Sequence, residues 1–185
     1  MSALPNRLRS RRRRSVGASA VEFALVAPIF FGALFGTLDG GLLLFSANAI
    51  EHSVGIGLIT VAQEGTTTTA DTDAVAAIKA EGFGTSGFAK VDEVDIFLVS
   101  VDPTTGAVTA DTNSCSGSPC LNRYTINGAA VTGYTNNWPA SSRNTSSTSL
   151  NNVGITMKCH YNYLAFNSSS VTLNITRYFR LEPTS

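Results

Sequence analysis

The 185-residue chain carries thirteen Lys and Arg against thirteen Asp and Glu, a formal net charge of zero, and 43% of its residues are hydrophobic. Six of the basic residues and none of the acidic ones fall in residues 1–17, so the remainder holds seven positive against thirteen negative side chains. A basic run alone would fit a nucleic-acid arm, but a long apolar stretch follows it directly, which excludes that class. No later run is long enough for a second bilayer crossing.

The basic residues Arg7, Arg9, Arg11, Arg12, Arg13 and Arg14 precede the apolar stretch. Positive residues beside a span stay cytoplasmic, so the chain beyond it is expected in the periplasm or farther out. From Phe23 to Leu38 there is no charge. Counted from Ala18, a helix reaching Leu38 is about 31 Å long, which spans a hydrocarbon core with little to spare. One acid, Glu22, stands near its start. It reads either as an interfacial carboxylate that snorkels to the headgroups or as the partner of a cation. A cut after Gly17 would make Ala18 the new N-terminus and Glu22 its fifth residue, with the freed amine as that cation.

These residues carry a resemblance. Gly17 followed by Ala18-Ser19-Ala20-Val21-Glu22-Phe23 resembles the prepilin-peptidase site of type IV pilins. With the Arg-rich leader, the run G-A-x-A-V-E-F-A-L-V-x-P resembles the TadE-like minor pilins or pseudopilins of the tight-adherence (Flp, type IVc) pilus system. The likeness covers Arg11 to Asp39, with a weaker one in the C-terminal strands. It implies cleavage after Gly17, with Gly17, Ala18, Glu22 and Phe23 as the processing site. It also implies partners: a prepilin peptidase, other pilins and an inner-membrane assembly platform. Three readings compete with it. They are a secretory signal cut at Ala47-Asn48-Ala49, a twin-arginine signal, and an uncleaved anchor with a ligand- or partner-binding head.

Within the span Ala24, Pro28, Gly32, Gly36 and Gly40 recur every four residues and so share one helical stripe. Small residues there allow close approach of a second helix, although glycine is also common in membrane helices generally. Pro28, lacking an N–H, is expected to loosen or kink the helix.

Residues Gly40 to Gln63 are expected to continue the helix. Leu42, Phe45, Ala49, His52 and Ile56 form its apolar face, and Gly55 and Gly57 weaken it. His52 reads as a packing residue. Roughly 120 residues follow, enough for one small domain. The expected division is a leader, 1–17, a membrane helix with its extension, 18–64, and a head, 65–185.

In the head, Asp71 or Thr72 reads as the N-cap of a helix Asp73 to Glu81, with Val75, Ala76 and Ile78 inward and Gly82 as its stop, followed by a flexible loop to Gly87. Val94 to Val101 reads as a buried strand, and Asp102 to Gly106 as a turn into a return strand from Ala107. Asp92, Glu93 and Asp95 lack the spacing of a calcium loop and read as a solvated strand entry. Cys115 and Cys120 are expected to form a disulfide in an exported head. Cys159 is expected to be a buried free thiol, although it could capture either of the other two. In the polar stretch Gly128 to Asn152, Trp138 reads as an anchor. Val153 to Tyr163 alternates as a half-buried strand, Asn167 to Ser170 turns the chain, and Val171 to Leu181 alternates back, with Arg177 breaking the apolar face.

The expected class is α+β: a long membrane helix followed by a short helix and an antiparallel sheet. The chain shows no nucleophile elbow, phosphate loop or His/Cys cluster, so no enzyme activity, metal or cofactor is expected, and adjacent Cys159 and His160 face opposite ways. The expected role is a single-pass inner-membrane pilin-type subunit, N-terminus cytoplasmic, acting through contacts with lipid and other pilins.

Overall fold

The computed structural model describes residues 8–81, 89–115, 118–164 and 169–183, with side chains described from Gly17 onward. The leader arginine side chains, Gly82 with the loop to Gly87, and Asn167 and Ser168 of the hairpin turn lie outside the described residues. The fold is α+β. Helix α1 runs from Leu8 to Glu64 and α2 from Ala70 to Ala80. Strands β1 (Ala89–Val101), β2 (Val108–Ala110), β3 (Leu121–Tyr124), β4 (Asn152–Asn162) and β5 (Ser170–Arg180) form one antiparallel sheet. The chain divides into two compact units, Met1–Gly41 and Leu42–Ser185.

The first unit is α1 alone, and the helix passes through Pro28 without ending. It also extends upstream of Ala18 to Leu8, so Gly17 lies inside a helix rather than before one.

In the second unit β1 is central. It pairs with β4 from Ala89 to Leu98, and on its other side with β3 over Val94–Phe97 and with β2 over Val99–Val101. β4 pairs with β5 along its whole length in one register, from Asn152 opposite Arg180 to Asn162 opposite Ser170. One sheet face is apolar because alternate residues point to it. Val94, Ile96, Val153, Ile155, Met157, Cys159 and Tyr161 are all fully buried there. They share a core with Ile50, Val54, Leu58 and Val61 of α1 and Ala74, Val75 and Ile78 of α2. Burying each large aliphatic side chain contributes about 1.5–3 kcal/mol, so this shared core is what holds helices and sheet together.

Four expectations need correction. The buried face of α1 is not the stripe through Phe45, His52 and Ile56: Phe45 is 69% exposed and His52 is exposed, whereas Ser46, Ile50, Val54, Gly57 and Val61 are buried. Gly57 decides this, because a Cβ there would lie 2.6 Å from Ile78 of α2. Its glycine admits close helix–helix approach, and α1 continues unbroken to Glu64 instead of fraying at Gly55 and Gly57. Helix α2 starts at Ala70, ahead of the expected Asp73, and neither Asp71 nor Thr72 is its cap. Ala74 rather than Ala76 is buried. Strand β1 begins at Ala89, five residues before Val94, and so absorbs Asp92, Glu93 and Asp95. Finally, β3 was not foreseen at all. The turn after β1 is as expected: Asp102 Oδ1 accepts from the Thr104 and Thr105 N–H groups, and Gly106 takes φ +71°.

Candidate functional site

The long helix is the first functional element. From Gly17 to Leu38 nearly every side chain is exposed, with Phe23 at 69% and Leu25 at 70%. Such a surface is unstable in water, since each large apolar side chain forgoes about 1.5–3 kcal/mol of burial. Among the described residues α1 is the one helix long and apolar enough to cross a membrane. Gly17, Ala18, Glu22 and Phe23 all lie on its exposed surface. Ala18 and Glu22 stand one helical turn apart and so share a face. Ala24, Pro28, Gly32, Gly36 and Gly40 are likewise exposed, and a Cβ added at any of the three glycines would meet nothing within 4 Å. Phe31 is stacked on Phe35 at 6.3 Å and meets Phe30 edge-on at 5.6 Å.

The head carries two polar centres, both built across strands. The first lies under α2. Asp71, in the first turn of that helix, is buried. It pairs with Arg143 and accepts from Asn122 Nδ2 at 2.7 Å and Tyr124 Oη at 3.1 Å. Arg143 stacks on the Trp138 ring at 4.5 Å, and Asn122 closes the ring by exchanging two hydrogen bonds with the Trp138 backbone. Trp138 is 2% exposed and so anchors the polar loop, as its position predicts. Burial, together with the Asp71 charge and its hydrogen bond, pushes the Tyr124 hydroxyl well above its ordinary value. A cavity of about 310 Å³ opens beside this centre, lined by Thr68, Tyr124, Asn136 and Ser141 among others.

The second centre is a charge ladder on the outer sheet face. Lys158 bridges Glu93 and Asp95, and Arg123 lies 3.3 Å from Asp95. Burial raises the Asp95 carboxyl despite the lowering effect of Lys158 and Arg123. Burial lowers Lys158, but the hydrogen bonds and charges of Glu93 and Asp95 outweigh it and hold the amine above its ordinary value. The ladder slips by one residue between Val91 and Glu93, and the Asp92 carboxylate lies 2.6 Å from His160 Nδ1. The three acids therefore lie within the paired strand rather than at its entry: Lys158 bridges Glu93 and Asp95, and Asp92 is exposed beside His160. His52 is not a packing residue but stands exposed 3.5 Å from Glu81.

Cys115 and Cys120 are bonded to each other, and Cys159 is a buried free thiol. Burial, and then the charge of Asp92, push that thiol up to about 12. Cys159 and His160 do point to opposite sides of β4, one buried and the other paired at the surface. Among the described residues no group of three or more His, Cys, Asp or Glu could hold a metal ion.

The Asp71 centre escaped the sequence because its members are far apart in the chain, and Asp71 itself resembles a helix cap. The chemical hint was a lone arginine in a loop dominated by Asn, Ser, Thr and Gly. No curated protein and no solved structure matches the chain. A family profile described as TadE-like protein matches residues 17–57, the stretch from the glycine before Ala18 to the glycine that packs on α2. Over this segment of α1 the chain is similar to TadE-like proteins.

Proposed function

We propose that the chain is a minor pilin or pseudopilin of a tight-adherence (Flp-type) pilus. In this reading α1 first stores the subunit in the bacterial inner membrane, with the leader cytoplasmic and the head periplasmic. A prepilin peptidase then cuts after Gly17, and the helix leaves lipid to pack among the helices of other pilins on the assembly platform. The observation that carries the proposal is the TadE-like match falling on a helix whose apolar side chains are exposed on nearly all sides from Gly17 to Leu38. A helix of that kind is satisfied only by lipid or by other helices, and the open glycine stripe suits close helix approach.

Glu22 has a defined part in this reading. Once the leader is removed, Ala18 carries a free ammonium one turn from the Glu22 carboxylate, close enough to pair within the chain or between neighbours. In a bundle of low dielectric, an amine left unpaired costs several kcal/mol, far more than at an exposed surface. Glu22→Ala is therefore expected to insert and fold normally but fail to co-purify with partner pilins, with Glu22→Asp partly restoring association. Wild-type association and piliation with Glu22→Ala would remove the pairing mechanism.

A second reading has one observation in its favour. Gly17 lies inside α1, so the bond after it is helical in the intact chain and a peptidase must unwind a turn to reach it. An uncleaved anchor with a partner-binding head would leave that turn intact. Glycine at this position weakens the helix by about 1 kcal/mol, which favours the unwinding that cleavage needs.

A further inference from the structure

The sheet has two outer edges, and the fold treats them differently. On the β3 side, the outward N–H groups are capped by side-chain amides. Leu121 donates to Asn137 Oδ1 at 2.9 Å and Arg123 to Asn136 Oδ1 at 2.8 Å. The outward carbonyl of Arg123 accepts from the Val131 N–H at 3.1 Å. On the other side, β5 pairs only with β4 among the described residues. Proteins ordinarily blunt an open strand edge with proline, a bulge, short length or charge. β5 has eleven residues, no proline and no slip in register, and its first charged side chain is Arg177.

Beside the C-terminal half of β5 lies a groove of about 540 Å³. Its walls include Gly55, Leu58 and Ile59 of α1 and Arg177, Tyr178 and Phe179 of β5. Ile59, Tyr178 and Phe179 are each about half exposed, at 52%, 52% and 53%. A Cβ at Gly55 would meet nothing within 4 Å, so the groove is open there.

We propose that the free edge of β5 takes an extended segment of another protein by strand addition, with an apolar side chain in the groove and a carboxylate facing Arg180. Main-chain hydrogen bonds along the edge supply affinity, and alternate side chains supply selection. Charge names the occupant. The two charged side chains of β5, Arg177 and Arg180, are both positive and lie at the same end. Arg177 is already held by Glu51, whereas Arg180 has no ion pair among the described residues. A second copy of this chain does not answer that charge, because β5 contains no acid and pairing it with itself leaves Arg180 unmatched. The partner is therefore a different chain, alternating apolar and polar residues and acidic at the end that meets Arg180.

The test uses the full-length protein in detergent micelles and fluorescent peptides of about nine residues, the length of a strand. They alternate valine and threonine, with Asp at one end or the other and Lys in matched controls. One Asp peptide is expected to bind at least about tenfold tighter than its Lys control and to slow amide exchange in β5. Arg180→Glu should invert that preference. Gly55→Leu, which fills the groove, should weaken binding while leaving Trp138 fluorescence intact and the head at least as stable to heat as wild type. Equal binding of Asp and Lys peptides, unchanged exchange in β5, or dimerisation of the chain that protects β5 without peptide would overturn the proposal.

Discussion

Gly55 and Gly57 lie two residues apart in α1, and the structure predicts opposite responses to the same substitution. A Cβ at Gly57 would lie 2.6 Å from both Cδ1 and Cγ1 of Ile78 and 3.3 Å from the Ala74 carbonyl oxygen. Ile78 is fully buried in the shared core and has little room to yield. Replacing glycine by alanine inside a helix ordinarily stabilises by about 1 kcal/mol. Overpacking a filled core costs about 1–3 kcal/mol, so Gly57→Ala is expected to lose about 1 kcal/mol net. Gly55→Ala meets nothing and should keep its gain of about 1 kcal/mol. The two variants should differ by about 2 kcal/mol, or roughly 5–8 °C in a head of this size. Trp138, the single tryptophan, is buried in the head and reports its unfolding by fluorescence in micelles. Ile78→Val, which removes Cδ1, should restore part of the loss in Gly57→Ala. Equal stabilisation by both alanines would refute the close approach of α1 to α2.

Two further outcomes follow from the head. Asp71→Asn and Arg143→Leu should each cost about 3–5 kcal/mol, because each leaves a buried group without its partner, and the double variant should cost clearly less than the sum; urea midpoints of the four proteins check this. The Cys159 thiol, ordinarily at 9.0, is held at about 12 in the folded chain, so the unfolded chain ionises first as pH rises. Its contribution is flat below about pH 9 and destabilises above it, by roughly 1.4 kcal/mol per pH unit toward the folded value. Wild type should therefore lose about 1.4 kcal/mol between pH 8 and pH 10, and Cys159→Val should lack that loss, when scans are short relative to thiol–disulfide exchange.

Local signals made some elements readable and left others hidden. The long apolar helix declares itself through an uninterrupted apolar run, and the β4–β5 hairpin through alternation over Val153 to Tyr163 and, broken at Arg177, over Val171 to Leu181. The contact face of α1 was not readable because two apolar stripes run side along its length. Phe45 and Ile56 belong to one, Ile50 and Val54 to the other, and only the approach of Ile78 to Gly57 chooses between them. The start of β1 was hidden because Asp92, Glu93 and Asp95 look like a solvent-facing run. Their partners His160, Lys158 and Arg123 come from strands remote in sequence. Asp71 misleads for the same reason: a helix-cap residue by local rule, it is a buried ion pair with Arg143, 72 positions away. Strand β3, at four residues, is too short to show a period and exists because β1 offers it an edge.

The account rests on a cut between Gly17 and Ala18, and intact-mass analysis of the protein extracted from membranes that hold its cognate peptidase tests it most directly. The account predicts a chain beginning at Ala18, with Gly17→Val accumulating as the longer form that retains the basic leader. A chain still beginning at Met1 in those membranes, or a Gly17→Val variant processed as wild type, would contradict it.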